Sequence, residues 1–332
     1  MAGPAFRAAA VRVRVPATTA NLGPGYDSLG LALSLYDDVV VRVAESDLHV
    51  DIAGEGADTL PRDERHLMVR SMRAAFDLLG GQPRGLEVVC ANRIPHGRGL
   101  GSSSAAIVAG LMAARAVTIG GPERLDDAGL LALASELEGH PDNVAPCLLG
   151  GFTIAWTDSD GSERARAARL EPADGLVPVV FVPSQEVLTE TARGLLPKQV
   201  PHADAAFNAA RSALLVAAVT RDPRLLYPAT EDRLHQDYRA PAMPGSAALV
   251  GALRAEGVPA VISGAGPTVL ALLGGERGSG EETSDAVVEK VLGFAGGEWS
   301  AHRLGIDLDG AAVLPLTGGG TGAGGVASPQ EN

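Results

Sequence analysis

Residues 95–104 read Pro-His-Gly-Arg-Gly-Leu-Gly-Ser-Ser-Ser, and what this stretch connects decides the fold. Before it, GLEVVCAN at 85–92 is an apolar run of strand length. After it, the alanine-rich stretch 103–118 predicts a helix. Gly97, Gly99 and Gly101 remove Cβ atoms where the backbone must curl around a ligand. Ser102, Ser103 and Ser104 can cap the helix and offer hydroxyls, and the free N–H groups of its first turn suit a phosphate. This is not a Walker loop, because Leu100-Gly101 stand where that motif requires a lysine. Nor is it a dinucleotide fingerprint, since its glycines are too closely spaced.

Working outward, AVRVRV at 10–15 alternates and predicts a half-exposed strand. PATTANLGPGYDSLG at 16–30 is too rich in turn formers for a helix, and 21–25 predicts a loop of special backbone geometry. A strand pair is expected around 35–44 and 48–53, then an amphipathic helix over 64–80. A second helix is expected from Leu125 to about Leu137, broken by EGHPDNVAP at 138–146, with a strand at 150–156. Residues 158–175 read as a polar loop containing the domain boundary. The second half predicts a strand at 176–182, helices near 186–193, 203–219 and 246–254, and a strand–glycine turn–strand over 259–273. A helix at 282–293 and two strands near 299–314 follow. Hairpins mixed with separated helices argue an α+β fold rather than a doubly wound sheet. The expected division is 1–165, 166–316 and a glycine-rich flexible tail at 317–332.

A length of 332 residues suits two domains. The formal charge of −13 lacks the basic stripe of a nucleic-acid binder, so an anionic ligand must be held locally. Only Lys198 and Lys290 are lysines, which leaves Schiff-base chemistry almost without a candidate. Cys90 and Cys147 read as buried apolar residues, with neither a zinc site nor a disulfide framework implied. No apolar run is long enough for a membrane span, and a cytoplasmic location is expected.

Glu136, Glu138, His140 and Asp142 crowd seven residues. A carboxylate there is a natural ligand for the Mg²⁺ carried by ATP. Acids at a helix C-terminus oppose its dipole, which favours a functional reason for them. SGAGPT at 263–268 is a second glycine turn inside an apolar strand pair, and close approach to another loop or a ligand would explain it.

Together, PATTANLGPGYDSLGLAL (16–33), PHGRGLGSSSAA (95–106), EGHPDNVAP (138–146) and SGAGPT (263–268) resemble the galactokinase, homoserine kinase, mevalonate kinase and phosphomevalonate kinase family, and among its branches the homoserine kinases. The resemblance extends from residue 11 to about 315. It implies an N-terminal part like ribosomal protein S5 domain 2, a ferredoxin-like C-terminal part, and an active site between them. It implies ATP-dependent phosphorylation of the side-chain hydroxyl of L-homoserine in threonine biosynthesis, in a homodimer. The triphosphate would be bound by Ile94, Pro95, His96, Gly97, Arg98, Gly99, Leu100, Gly101, Ser102, Ser103 and Ser104. Mg²⁺ would be held by Glu138, with Glu136 as rival, and by Ser103 or Ser104. Asn21, Asp27, His140, Asp142, Thr189, Arg193, Arg239 and Gly264 would contact the amino acid, with Arg233 a rival to Arg239. The physics agrees with this casting: Asp27 or Asp142 suits an ammonium, and the forked donors of Arg193 and Arg239 suit a carboxylate. Glu138, Asp142 and Ser103 are the candidate catalytic groups. A dedicated base is not evident; Asp142 is one candidate, and catalysis by positioning and charge stabilisation is the other reading. The alternatives are a sister kinase acting on mevalonate, shikimate or a sugar, and an inactive nucleotide-binding protein.

Overall fold

The computed structural model describes residues 3–161, 164–274 and 285–316. In its first half run β1 (Val11–Ala20), β2 (Leu29–Ala44), β3 (Leu48–Gly54), α1 (Leu67–Leu79), β4 (Gly85–Asn92), α2 (Ser102–Val117), α3 (Gly121–Arg124), α4 (Asp127–Glu138), α5 (Pro141–Leu149), β5 (Phe152–Thr157) and β6 (Ala165–Leu170). There follow β7 (Val177–Pro183), α6 (Thr189–Gly194), α7 (His202–Thr220), α8 (Leu226–Ala229), α9 (Gln236–Arg239), α10 (Pro244–Ala255), β8 (Ala260–Ile262), β9 (Val269–Leu273), α11 (Asp285–Leu292), β10 (Trp299–Arg303) and β11 (Ala312–Leu314). Among these residues no helix is long and apolar enough to cross a membrane. The tail from 317 and the start of the helix expected at 282–293 lie outside the described residues.

The first sheet has the order β11-β1-β2-β4-β3, with β5 on β2 and β6 on β5. Strand β1 runs five residues past its expected end. Pro16 can sit in it because the register with β2 shifts between Pro16 and Ala17, where a missing N–H costs the ladder little. The expected pairing of β2 with β3 is corrected: β4 lies between them, antiparallel to β2 and parallel to β3. The crossover helix α1 brings the chain back alongside β3. Its apolar residues Met68, Val69, Met72, Ala75, Phe76 and Leu79 are all buried, and Gly80 ends it in the left-handed conformation. Residues 165–170, expected as loop, are instead strand β6. Its polar side chains reflect an edge position against β5.

The second sheet, β10-β7-β9-β8, is antiparallel, yet β7 and β9 are apolar almost throughout because both faces are covered. Val179 and Phe181 belong to a core shared with Leu249 and Leu253 of α10 and Val288 of α11. Val180 and Val182 point the other way, into the larger core that also holds Leu215 of α7 and the first-half residues. By sheet membership the chain divides between Leu170 and Val177, and β11 crosses back to pair with β1.

Strands β1 and β2 are also bridged by charge. Asp38 accepts from Arg12 and Arg14 at 3.0–3.2 Å. Desolvation would raise the pKa of Asp38, but the two guanidinium groups outweigh it and hold the carboxyl below its ordinary range. A lowered folded pKa gives stability that is complete above the unfolded value of about 4 and is lost as pH falls through the folded value. Asp38→Asn is therefore expected to lower the urea midpoint at pH 7, with the deficit shrinking as pH falls below about 4 and through the lowered folded value. A deficit that persists unchanged in acid would show that the charge is not what Asp38 contributes.

Candidate active site

The turn at 21–27 is built on left-handed residues, with φ of 65° at Asn21, 50° at Leu22, 86° at Gly23 and 52° at Asp27. Asn21 pins it by accepting the Asp27 N–H through Oδ1 at 2.9 Å and donating through Nδ2 to the Gly264 carbonyl at 2.9 Å. The turn at 263–268 therefore approaches both motif loops closely. Ser263 donates to the Gly99 carbonyl at 2.6 Å, and the Gly264 N–H donates to Ala20. A Cβ on Gly99 would strike the Ser263 carbonyl, and one on Gly101 would strike the Thr18 hydroxyl. Both glycines have positive φ, so the loop needs them for packing as much as for ligand access.

The N-cap of α2 is Gly101, and the serines do not cap the helix. Instead the Ser103 and Ser104 hydroxyls both donate to one oxygen of Glu138, at 2.6 and 2.8 Å. This leaves the first N–H groups of α2 without intrahelical acceptors at the mouth of the cavity. Helix α4 extends through Glu138, so Glu136, two residues earlier, projects to a different groove alongside Ala132 and Leu133.

One cavity is lined by Asn21, Gly97, Gly99, Gly101, Ser102, Ser103, Glu138, His140, Asp142, Thr189, Arg193, Arg239 and Gly264. Residues that sequence reasoning passed over also line it: Asn143, Val187, Leu188, Ala265 and Gly266. Asn143 lay within a quoted motif but had no evident partner; it accepts from Thr18 at 2.8 Å. His140 and Asp142 are joined at 2.6 Å. Arg239 is 1 % exposed, donates to the Gly264 carbonyl at 3.2 Å, and has no partner for Nε. Burial pushes its pKa down. Arg233 instead pairs with Asp204 at the surface and stacks on Phe207.

Two placements differ from expectation. Asp27 and Arg193, cast at opposite ends of a ligand, are bonded to each other at 2.7 and 3.0 Å, with Tyr26 accepting from the same guanidinium. The opposite charges satisfy one another. And not all of the loop faces the cavity. Ile94 is in the core, its N–H held by Asp37. Pro95, Arg98 and Leu100 line a cleft behind the loop, against β7 and β10.

His96 turns into a further, largely apolar cavity between α1, α2 and β4, which opens beside Ser102 and Ser103. His66 lines it, 4 % exposed, with neither ring nitrogen bonded. Burial, and then neighbouring His96, push the pKa of His66 down. No sequence motif marks this cavity, because its walls are ordinary core residues. Cys90 borders it as well, its thiol pushed up to about 12 by burial, and Cys147 is fully buried, so both cysteines are buried as expected.

A glycine loop at a helix start, a carboxylate bound to that helix's serines and a buried cation across the cleft form a cavity whose chemistry suits a small phosphorylated ligand. The GHMP kinase N-terminal domain family matches residues 66–151, and the GHMP kinase C-terminal family matches 214–294. Homoserine kinase of Streptomyces coelicolor is 72 % identical over 316 residues, covering 95 % of this chain and 98 % of that relative. Homoserine kinase of Streptomyces avermitilis is likewise 72 % identical, covering 95 % and 99 %. The crystal structure of homoserine kinase from Cytophaga hutchinsonii superposes with a TM-score of 0.78 at 27 % identity, covering 95 % of this chain and all of that one. The chain belongs to the homoserine kinase family of the GHMP kinases.

Proposed function

We propose that this chain transfers the γ-phosphate of ATP to the side-chain hydroxyl of L-homoserine, giving O-phospho-L-homoserine for threonine biosynthesis. The observation that carries this is Arg239: a buried guanidinium with a free donor, in the same cavity as the phosphate loop. A substrate carboxylate would supply the direct ion pair that no described residue gives it, Asp27 and Asp232 acting only at longer range. Arg193 would share that carboxylate, leaving Asp27, with Asn21, to take the ammonium. Thr189 and the Gly264 carbonyl border the same end.

The triphosphate would lie over Gly97, Gly99, Gly101 and the serines that follow, against the N-terminus of α2, with the base in the apolar cavity beside His66 and His96. Glu138, Ser103 and Ser104 present hard oxygen donors that fit Mg²⁺, which takes one or two carboxylates and completes its shell with phosphates and water. Bound there, Mg²⁺ would neutralise charge on the phosphates. Asp142, fixed by His140, is the carboxylate best placed to orient the hydroxyl and accept its proton, and positioning supplies most of the remaining rate. The same reading includes a cytoplasmic homodimer.

An ADP-release assay with homoserine, mevalonate, serine, threonine, shikimate and galactose tests the assignment. Homoserine should exceed every rival in kcat/KM by at least about tenfold. Mevalonate, shikimate and galactose lack a charge partner, which costs roughly 2–5 kcal/mol. Serine and threonine keep both charges but hold the hydroxyl one carbon nearer the α-carbon, and a misplacement of about 1 Å can cost about 100-fold. Equal turnover of mevalonate would place the chain with a sister activity.

A further inference from the structure

Arg98 sits in the middle of the phosphate loop yet faces away from the cavity. Its guanidinium reaches across to the end of β7, where Nε donates to the Pro183 carbonyl at 2.9 Å and a terminal nitrogen donates to the Ser184 carbonyl at 3.0 Å. The other terminal nitrogen donates to the His96 carbonyl at 3.3 Å and lies 3.7 Å from Glu186. Next to it, the Val187 N–H donates to the Gly97 carbonyl at 3.1 Å. The loop is thus stitched to residues 183–187, which lead directly into α6 with Thr189 and Arg193.

Helix α6 is otherwise lightly held. Of its six residues only Ala192 is buried, packed with Val187 in the core of the second sheet, and Leu188 at its N-cap is 69 % exposed. Its polar anchor is the bond of Arg193 to Asp27 and Tyr26, a contact that an arriving amino acid would have to rearrange. The position of the substrate-side arginine therefore depends in part on a strap whose other end is the nucleotide loop.

We propose that Arg98 is a positioning residue that transmits nucleotide occupancy of the phosphate loop to α6, so that a bound nucleotide tightens the grip of Thr189 and Arg193 on the amino acid. This rests on the kinase reading above, with homoserine as ligand. The guanidinium fork is suited to the role because it spans two successive carbonyls, which a lysine ammonium cannot do with the same rigidity.

The test is calorimetric. Homoserine binding is titrated with and without ADP and Mg²⁺; ADP lacks the γ-phosphate that would touch the hydroxyl, so coupling must pass through the protein. Wild type should bind homoserine about 5- to 150-fold tighter with ADP present, and ADP should gain by the same factor from homoserine. Arg98→Ala should bring that factor below about 2 while ADP alone binds within about threefold of wild type, and Arg98→Lys should fall between. A wild-type factor of one, an undiminished factor in Arg98→Ala, or loss of ADP affinity itself in that variant would each overturn the role. Should Arg98→Ala not fold, a wild-type factor in Arg98→Lys would refute the fork. If wild type binds ADP but no homoserine, the substrate assignment fails and takes this role with it; a retained factor removes Arg98 alone.

Discussion

Glu138→Gln is expected to lower kcat by about 10²–10³-fold with the fold unchanged, while Glu136→Gln stays near wild type. The two glutamates are two residues apart on α4, about 200° around the helix, so they cannot share a site. Only Glu138 meets the serines of α2. Its place in the last turn of α4 opposes the helix dipole, and the hydroxyl donors and N-terminus of α2 are what make a charge tolerable there. Glutamine keeps the size and one acceptor, so the two hydroxyls remain bonded and the loop stays in place. What is lost is the negative charge that would hold Mg²⁺ on the phosphates. The variant should accordingly need far more Mg²⁺ to reach its reduced maximum. Wild-type turnover and Mg²⁺ dependence in Glu138→Gln would reduce the carboxylate to a bracket between α2 and α4.

Arg239→Met should separate stability from function. Kinetically, it removes the proposed buried partner of the substrate carboxylate, a loss of about 2–5 kcal/mol, so kcat/KM for homoserine should fall roughly 30- to 4,000-fold with the KM for ATP little changed. Thermodynamically, the protein holds a guanidinium with no ion-pair partner among the described residues and an unbonded Nε, offset by Tyr26, His235, one carbonyl and the longer-range charges of Asp27 and Asp232. An apolar side chain of similar length avoids that desolvation, as replacement of buried charges often does. The midpoint of thermal unfolding should be no lower than wild type. A marked drop in stability with homoserine kinetics intact would make Arg239 a structural residue.

Much of the site was legible because backbone geometry forces residue choice. Gly97, Gly99 and Gly101 all adopt positive φ, and Asn21 begins a left-handed run, so these motifs are readable one residue at a time. The choice between Glu136 and Glu138 was not, since it turns on where α4 ends, and ending it near Leu137 left Glu138 in a turn of unknown direction. The Asp27–Arg193 pair spans 166 residues of chain and has no local signature. The same holds for the cavity at His66, assembled from three elements that each read as core. In the fold, β4 between β2 and β3 escaped notice because strand patterns report faces and not neighbours. The two strands expected near 299–314 are present as β10 and β11, but nothing local marks that β11 leaves the second sheet to pair with β1.

That last strand has a consequence for how the molecule is made. During synthesis, residues 11–170 leave the ribosome long before Ala312–Leu314, and until then the outer edge of β1 has no partner. An open edge of alternating valines invites pairing with another chain. Arg12 and Arg14, already engaged by Asp38 from β2, keep that edge charged through the interval. A nascent chain truncated before residue 312 would thus carry an unfinished first sheet whatever the state of its second half, and that sheet would stay open to misassembly.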